Sequence, residues 1–300
     1  MSSTKLQNDS PGAVKARLLL MHGLCLAAVF FPVNQNLLLL GLISYCLRTF
    51  GVEGAYHRYF SHRSFSTSRW FQFILAILAT SSGQRGVLSW AGLHRKHHKH
   101  SDTEQDPHSP VVNSFWFAHL TWIWDDRHRN PTLDNVRDLT RYPELVWINR
   151  YHYLVTSGTV IALFLIGANT DWLGADVGGM QAVLWGFMIP TMLVFHMTMS
   201  INSVLHYPRF GNRRFNTGDA SRNVAWLALP SMGSAWHNNH HHHPGVARAG
   251  FYWWEVDLVY LMIRLLGAIG LVWGIREVPR SVLKETESQS SQVPIPSETV

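Results

Sequence analysis

The sequence predicts an all-α membrane protein. Four transmembrane helices form two hairpins, and a cytoplasmic helical cap carries a histidine-ligated dimetal site. Three observations predict this: four long apolar runs, a shortage of charge, and histidine clusters confined to one predicted side of the membrane. About 47% of the 300 residues are apolar and only 15% are charged, against roughly 25% charged in ordinary soluble domains. There are also thirteen tryptophans and eighteen histidines. Cys25 and Cys46 lie in apolar runs, so they read as small buried residues and not as a disulfide or thiolate metal site. The net charge of +6 is not gathered into an aromatic-interleaved basic patch. That pattern argues against a nucleic-acid partner and suits a membrane protein with basic loops on one side.

Residues 1–14 are polar, with a Pro-Gly pair, and read as a disordered tail. Leu18 to Val33 and Leu37 to about Tyr56 are apolar runs that approach the roughly 20 residues a bilayer core needs, joined by a turn at 32–36. His22 and Arg48 intrude on them, and Glu53 is the candidate partner of Arg48. Tyr153 to Ala168 and Met180 to about Ser200 form a second pair, with His196 expected to face the interior. The two turns, 32–36 and 169–179, contain no Lys or Arg, whereas residues 57–152 contain twelve. The positive-inside rule therefore puts that segment, both termini and the site in the cytoplasm. No cleavable signal peptide is evident. Trp70 to Thr80 is too short to span. Residues 251–275 carry Glu255, Asp257 and Arg264 and read as an amphipathic helix on the cytoplasmic part or at the interface. A single membrane-embedded domain is expected over 15–278, with 279–300 a disordered tail.

The histidines carry the chemistry. "HRYFSH" gives His57 and His62, directly after the second span. "HRKHH" gives His94, His97 and His98, and "HNNHH" gives His237, His240 and His241. The i, i+3, i+4 spacing puts three imidazoles on one helix face. In the first cluster, i and i+5 stand about 140° apart on an ideal helix, so that pair straddles a helix end or approaches from another angle. Eight histidines exceed the needs of one ion and argue for two, with iron, zinc and copper all compatible with imidazole. No HExxH, CxxC, GxGxxG or GxSxG motif is present.

In combination these motifs resemble the three histidine boxes of the membrane fatty-acyl desaturases. "GAYHRYFSHRSF", "HRKHHKHSDTEQDPHSP" and "WHNNHHHHPG" are similar to the Δ9-type acyl desaturases, over roughly residues 37–275. The resemblance implies a further ligand, His206, and Asn202 acting through a water, both from "NSVLH". The implied ligand set is His57, His62, His94, His97, His98, Asn202, His206, His237, His240 and His241. Asp106 in "DPH" is a candidate to orient a ligating imidazole. His100, His108, His242 and His243 are left over, and His119, His128 and His152 are read as ordinary polar positions.

The resemblance further implies two iron ions and O2-dependent removal of two hydrogens from a saturated long-chain acyl group, placing a cis double bond at Δ9. An aliphatic C–H bond is inert to acid–base chemistry, so a redox metal is required. Acyl-CoA is the first-choice substrate. However, the text after "DPH" lacks the early basic residues typical of CoA-using members, which leaves an acyl-lipid open. With no flavin or nicotinamide motif, a separate electron-transfer protein of ferredoxin or cytochrome type is an expected partner. Rival readings are a hydroxylase on the same diiron scaffold and, more distantly, a membrane metal transporter or sensor. Trp90 is a candidate wall of the acyl tunnel.

Overall fold

In the computed structural model the described residues are 10–125 and 133–283. His128 and most of the expected C-terminal tail lie outside them. Four helices are long and apolar enough to cross a membrane: α1 (Pro11–Phe30), α2 (Gln35–Ser61), α7 (His152–Asn169) and α8 (Gly179–His206). Between and after them lie α3 (Arg69–Thr80), α4 (Val87–His100), α5 (Phe115–His119), α6 (Pro143–Arg150), α9 (His237–His242) and α10 (Leu258–Ala268). Two short strands, β1 (Ser66–Thr67) and β2 (Val272–Trp273), pair antiparallel, a small exception to the all-α expectation.

Local sequence sets the helix starts. Ser10, Asn34 and Ser68 each accept a backbone N–H three residues on, which satisfies an otherwise orphaned donor. The Ser10 cap starts α1 at Pro11, inside the segment expected to be a tail. At the other end, Val282 is buried beside Phe215, Val246 and Phe251, so part of 279–300 is packed.

Three expectations change. The first two spans do not close as a hairpin: α1 packs mainly on α8 and on the turn Thr121–Trp124. A polar contact helps set this, because His22 Nε2 lies 2.9 Å from His196 Nε2. Arg48 is not paired with Glu53. It donates to the Phe187 carbonyl at 3.2 Å and to Thr191, and stacks on the Phe187 ring at 4.3 Å. Carbonyls and an aromatic face thus solvate the buried guanidinium. Finally, the helix expected over 251–275 is confined to α10. Glu255 and Asp257 precede it as buried acceptors, and Asp257 caps it by accepting from the Tyr260 N–H at 2.9 Å.

The last eleven residues of α2, Gly51–Ser61, are wound as a π-helix. Gly51 stands where a Cβ would come within 2.9 Å of the Leu78 carbonyl, so only glycine lets α3 approach this closely. Arg58, beyond it, pairs with Asp257 at 2.9 Å, and both side chains are almost wholly buried. The pair fixes α2 to the start of α10. Removing one partner strands the other charge, at a cost of about 3–5 kcal/mol. Asp257→Ala should therefore lower the thermal midpoint in detergent by about 6–20 °C, at roughly 2–4 °C per kcal/mol, and a midpoint within about 2 °C of the wild type would contradict the assignment.

Candidate metal centre

The π-winding decides the first histidine pair. In a π-helix the N–H of residue i+5 meets the carbonyl of residue i, and the His62 N–H donates to the His57 carbonyl at 3.2 Å. The 140° separation expected on an α-helix disappears, and the two rings stand 5.0 Å apart.

Two groups of imidazoles form. His57, His62, His94, His98 and His240 make one. His97, His206, His237 and His241 make the other. Within each group, one potential ligand atom per residue lies within 4.8 Å of every other. All nine histidines expected from the sequence are therefore gathered, but the two HxxHH triplets do not each serve one group. α4 gives its i, i+4 pair, His94 and His98, to the first group and His97 to the second. α9 does the reverse, giving His237 and His241 to the second and His240 to the first. Residues four apart share a face more closely than residues three apart, so each helix presents two edges to two centres.

The nitrogens meet in a manner unusual for hydrogen bonding alone. His57 Nε2 and His98 Nε2 both face His240 Nε2, at 2.9 and 3.1 Å. His62 faces His94 at 2.8 Å, and His206 faces His237 at 3.0 Å, again Nε2 to Nε2. Carboxylates hold several of the outer Nδ1 atoms: Glu53 on His57 at 3.0 Å, Asp106 on His97 at 3.0 Å, Asp102 on His206 at 2.8 Å and Asp219 on His241 at 2.6 Å. A neutral imidazole that donates Nδ1–H to a carboxylate has only a lone pair at Nε2. In that form His57, His97, His206 and His241 would turn bare lone pairs inward, and the buried Nε2 of His241 has no hydrogen-bond partner. Such a set fits metal cations, and carboxylate–imidazole pairs are how ligating histidines are oriented.

Asp106 has the orienting contact expected of it. Asp102, Asp219 and Glu53 do the same for other imidazoles, and sequence reading gave none of them that role. Their separations from the histidines they orient, 104, 22 and 4 residues, leave only Glu53 detectable, at i and i+4. Asn238 and Asn239 were also missed. They are fully buried. Asn238 accepts from the N–H groups of Arg214 and Phe215, both at 2.7 Å, and Asn239 donates to Glu255 at 2.9 Å. They anchor the back of α9. Of the leftover histidines, His108 is buried beside Asp106 and His97, and His242 stacks on Phe215 at 3.9 Å. His119 is not an ordinary polar position, since it bridges His196 at 3.2 Å and Ser203 at 2.9 Å.

Burial and mutual repulsion push His62, His94, His98, His237 and His240 well below their ordinary value. Burial lowers His241 to about 4 against the opposing pull of Asp219. Burial would raise the three aspartates, but the imidazoles beside them outweigh it and hold all three low. Asp106 likewise overrides burial to raise His97.

A cavity of about 480 Å³ ends at the first group, within the range of ligand-binding sites. Trp90, Leu93, His94, Phe187, Met192 and Asn202 are among its walls. Trp90 stacks on His94 at 5.0 Å, so it both walls the cavity and packs against an imidazole of the first group. Asn202 is half-buried on this wall.

The fatty acid desaturase family model matches residues 34–274. The chain belongs to the fatty acid desaturase family. Among relatives of this desaturase, the Delta-9 acyl-lipid desaturase 2 of Arabidopsis thaliana is 35% identical over 260 residues, covering 85% of this chain and 80% of the relative. The sn-1 stearoyl-lipid 9-desaturase of a Synechocystis species is 34% identical, covering 78% and 69%. The acyl-CoA C20 Delta5-desaturase of Anemone leveillei is 32% identical, covering 89% and 82%.

Two outcomes test the centre. Asp219→Asn should weaken metal retention by roughly 10–100-fold, measured as metal content after graded chelation; full retention would remove Asp219 from its orienting role. The second concerns pH. An imidazole depressed in the fold stays neutral while the unfolded chain takes up a proton near 6.5, so protons favour unfolding. The five strongly lowered histidines outnumber the raised His97. The thermal midpoint of the metal-free desaturase should fall between pH 7.5 and 5.5, and a constant or rising midpoint would contradict the assignment.

Proposed function

We propose that the desaturase uses O2 to introduce a cis double bond, at Δ9, into a saturated long-chain acyl group. The observation that carries this is the five-and-four set of inward-facing imidazoles at the end of a largely apolar cavity. Two iron ions, held by His57, His62, His94, His98 and His240 and by His97, His206, His237 and His241, would supply the oxidising power that an unactivated methylene requires. Asn202 would serve one ion through a water. Asp102, Asp106, Asp219 and Glu53 fix imidazole orientation. Trp90 and the cavity walls hold the chain against His94 and exclude water, so that one pair of methylenes is presented.

The carrier of the acyl group is best read as a membrane lipid and not coenzyme A. Two of the three relatives above are named for lipid substrates and one for acyl-CoA. The absence of early basic residues after Asp106-Pro107-His108 supports the same reading. Each turnover consumes two electrons and two protons as O2 becomes two waters. The electrons come from a separate ferredoxin or cytochrome-type protein docking on a basic cytoplasmic face, with both termini and the centre on that side.

Iron-loaded protein, reductant, O2 and a stearoyl lipid should yield a product lighter by two mass units, with the new bond at carbon 9. A gain of sixteen would mean hydroxylation and would overturn the reading. His94→Ala and His240→Ala should each abolish the product.

A further inference from the structure

The two imidazole groups differ in the charge packed behind them. Three aspartates stand behind the second group. Asp106 meets His97 Nδ1 at 3.0 Å, Asp102 meets His206 Nδ1 at 2.8 Å and Asp219 meets His241 Nδ1 at 2.6 Å. Backbone donors favour their ionised form. Asp106 accepts from the Asp102 N–H at 2.8 Å, Asp102 from the Ala220 N–H at 2.8 Å and Asp219 from the Ser221 N–H at 2.9 Å. Among the described residues, no arginine or lysine pairs with any of the three.

The first group is served differently. Among the described residues, only His57 of its five imidazoles has a carboxylate, Glu53, at 3.0 Å. A guanidinium stands at the backbone just before His62. Arg95 of α4 donates to the Phe60 and Ser61 carbonyls at 2.7 and 3.0 Å. Arg95 and Arg63 share the single carboxylate of Asp138, so this cluster keeps a net positive charge. Three negative charges therefore back four imidazoles, whereas one backs five with a cation nearby.

These charges lie close enough to act. A carboxylate on Nδ1 is about 6 Å from an ion on Nε2, across one ring. That is inside the roughly 8 Å over which even exposed charges act at physiological salt, and these carboxylates are shielded from water. Negative charge near a metal binds it more tightly and stabilises its higher oxidation state.

We infer that the chain makes its two metal positions unequal. Asp102, Asp106 and Asp219 hold the ion of the second group more tightly, and favour its ferric form more, than Glu53 and Arg95 do in the first. The inference rests on the desaturase reading and deepens it. The first electron from the external one-electron carrier is taken up in the first group, where ferric iron becomes ferrous as the carrier is oxidised. The acyl cavity ends at that group, so the charge pattern directs reducing power to the side where the substrate lies.

The test equilibrates the iron-loaded full chain in detergent against graded EDTA. The remaining iron is counted, then located by anomalous diffraction. The first group should empty at a free-iron level at least about tenfold above that of the second. The peak inside His97, His206, His237 and His241 should persist. D219N and D102N should each narrow the gap and E53Q should widen it, opposite effects that general damage to the fold would not produce. Stepwise reduction with dithionite, followed by Mössbauer spectroscopy, should pass through one ferrous and one ferric ion. D219N should make the second of those steps easier and leave the first unmoved. Simultaneous loss of both irons, earlier loss from the second group, reduction of both ions in one step, or an unchanged gap in folded D219N would overturn the inference. Ordered loss from a protein that desaturates nothing supports the inequality and sinks the desaturase reading. Δ9 product from a protein that holds both ions equally does the opposite.

Discussion

Nine imidazoles converge in the interior, several of them with lone pairs facing one another, and the rest of the structure accommodates that convergence. Burying one neutral imidazole with an unpaired nitrogen is costly. Burying two groups of them, within 4.8 Å inside each group, multiplies that cost, and a cation in each group would offset it by supplying the missing partner. The four carboxylates on the outer nitrogens commit the inner ones to acceptance, and they bring negative charge that compensates the cations.

The surrounding frame answers to this requirement. The π-wound end of α2 aligns His57 with His62. α4 and α9 each give imidazoles to both groups, so neither helix can rotate without damaging both. Asn238 and Asn239 hold the back of α9 through hydrogen bonds to Arg214, Phe215 and Glu255. The Arg58–Asp257 pair joins α2 to the chain after α9. Buried ion pairs contribute little net stability, but they are sensitive to geometry, which suits a role in holding the end of α2 and the start of α10 in register.

Much of this was legible in the sequence. Hydropathy placed the four spans to within a few residues at most ends, and the two HxxHH triplets with the HxxxxH pair named eight of the nine imidazoles that converge. His206 came only from the family resemblance. What escaped had physical reasons. An i, i+5 spacing is ambiguous until the winding of the helix is known. The sharing of each HxxHH between two centres depends on helix orientation, which periodicity does not encode. Asp102 and Asp219 orient imidazoles far along the chain, so spacing gave no signal. Arg48 stands five residues from Glu53 but is satisfied by carbonyls of α8, a tertiary solution that no local pattern announces.

The central claim is that one chain holds two metal ions, five imidazoles at one and four at the other. Anomalous diffraction at the iron edge from crystals of the iron-loaded protein tests it most directly. The account predicts two peaks, one inside His57, His62, His94, His98 and His240, the other inside His97, His206, His237 and His241. A single peak, or peaks outside these two groups, would contradict it.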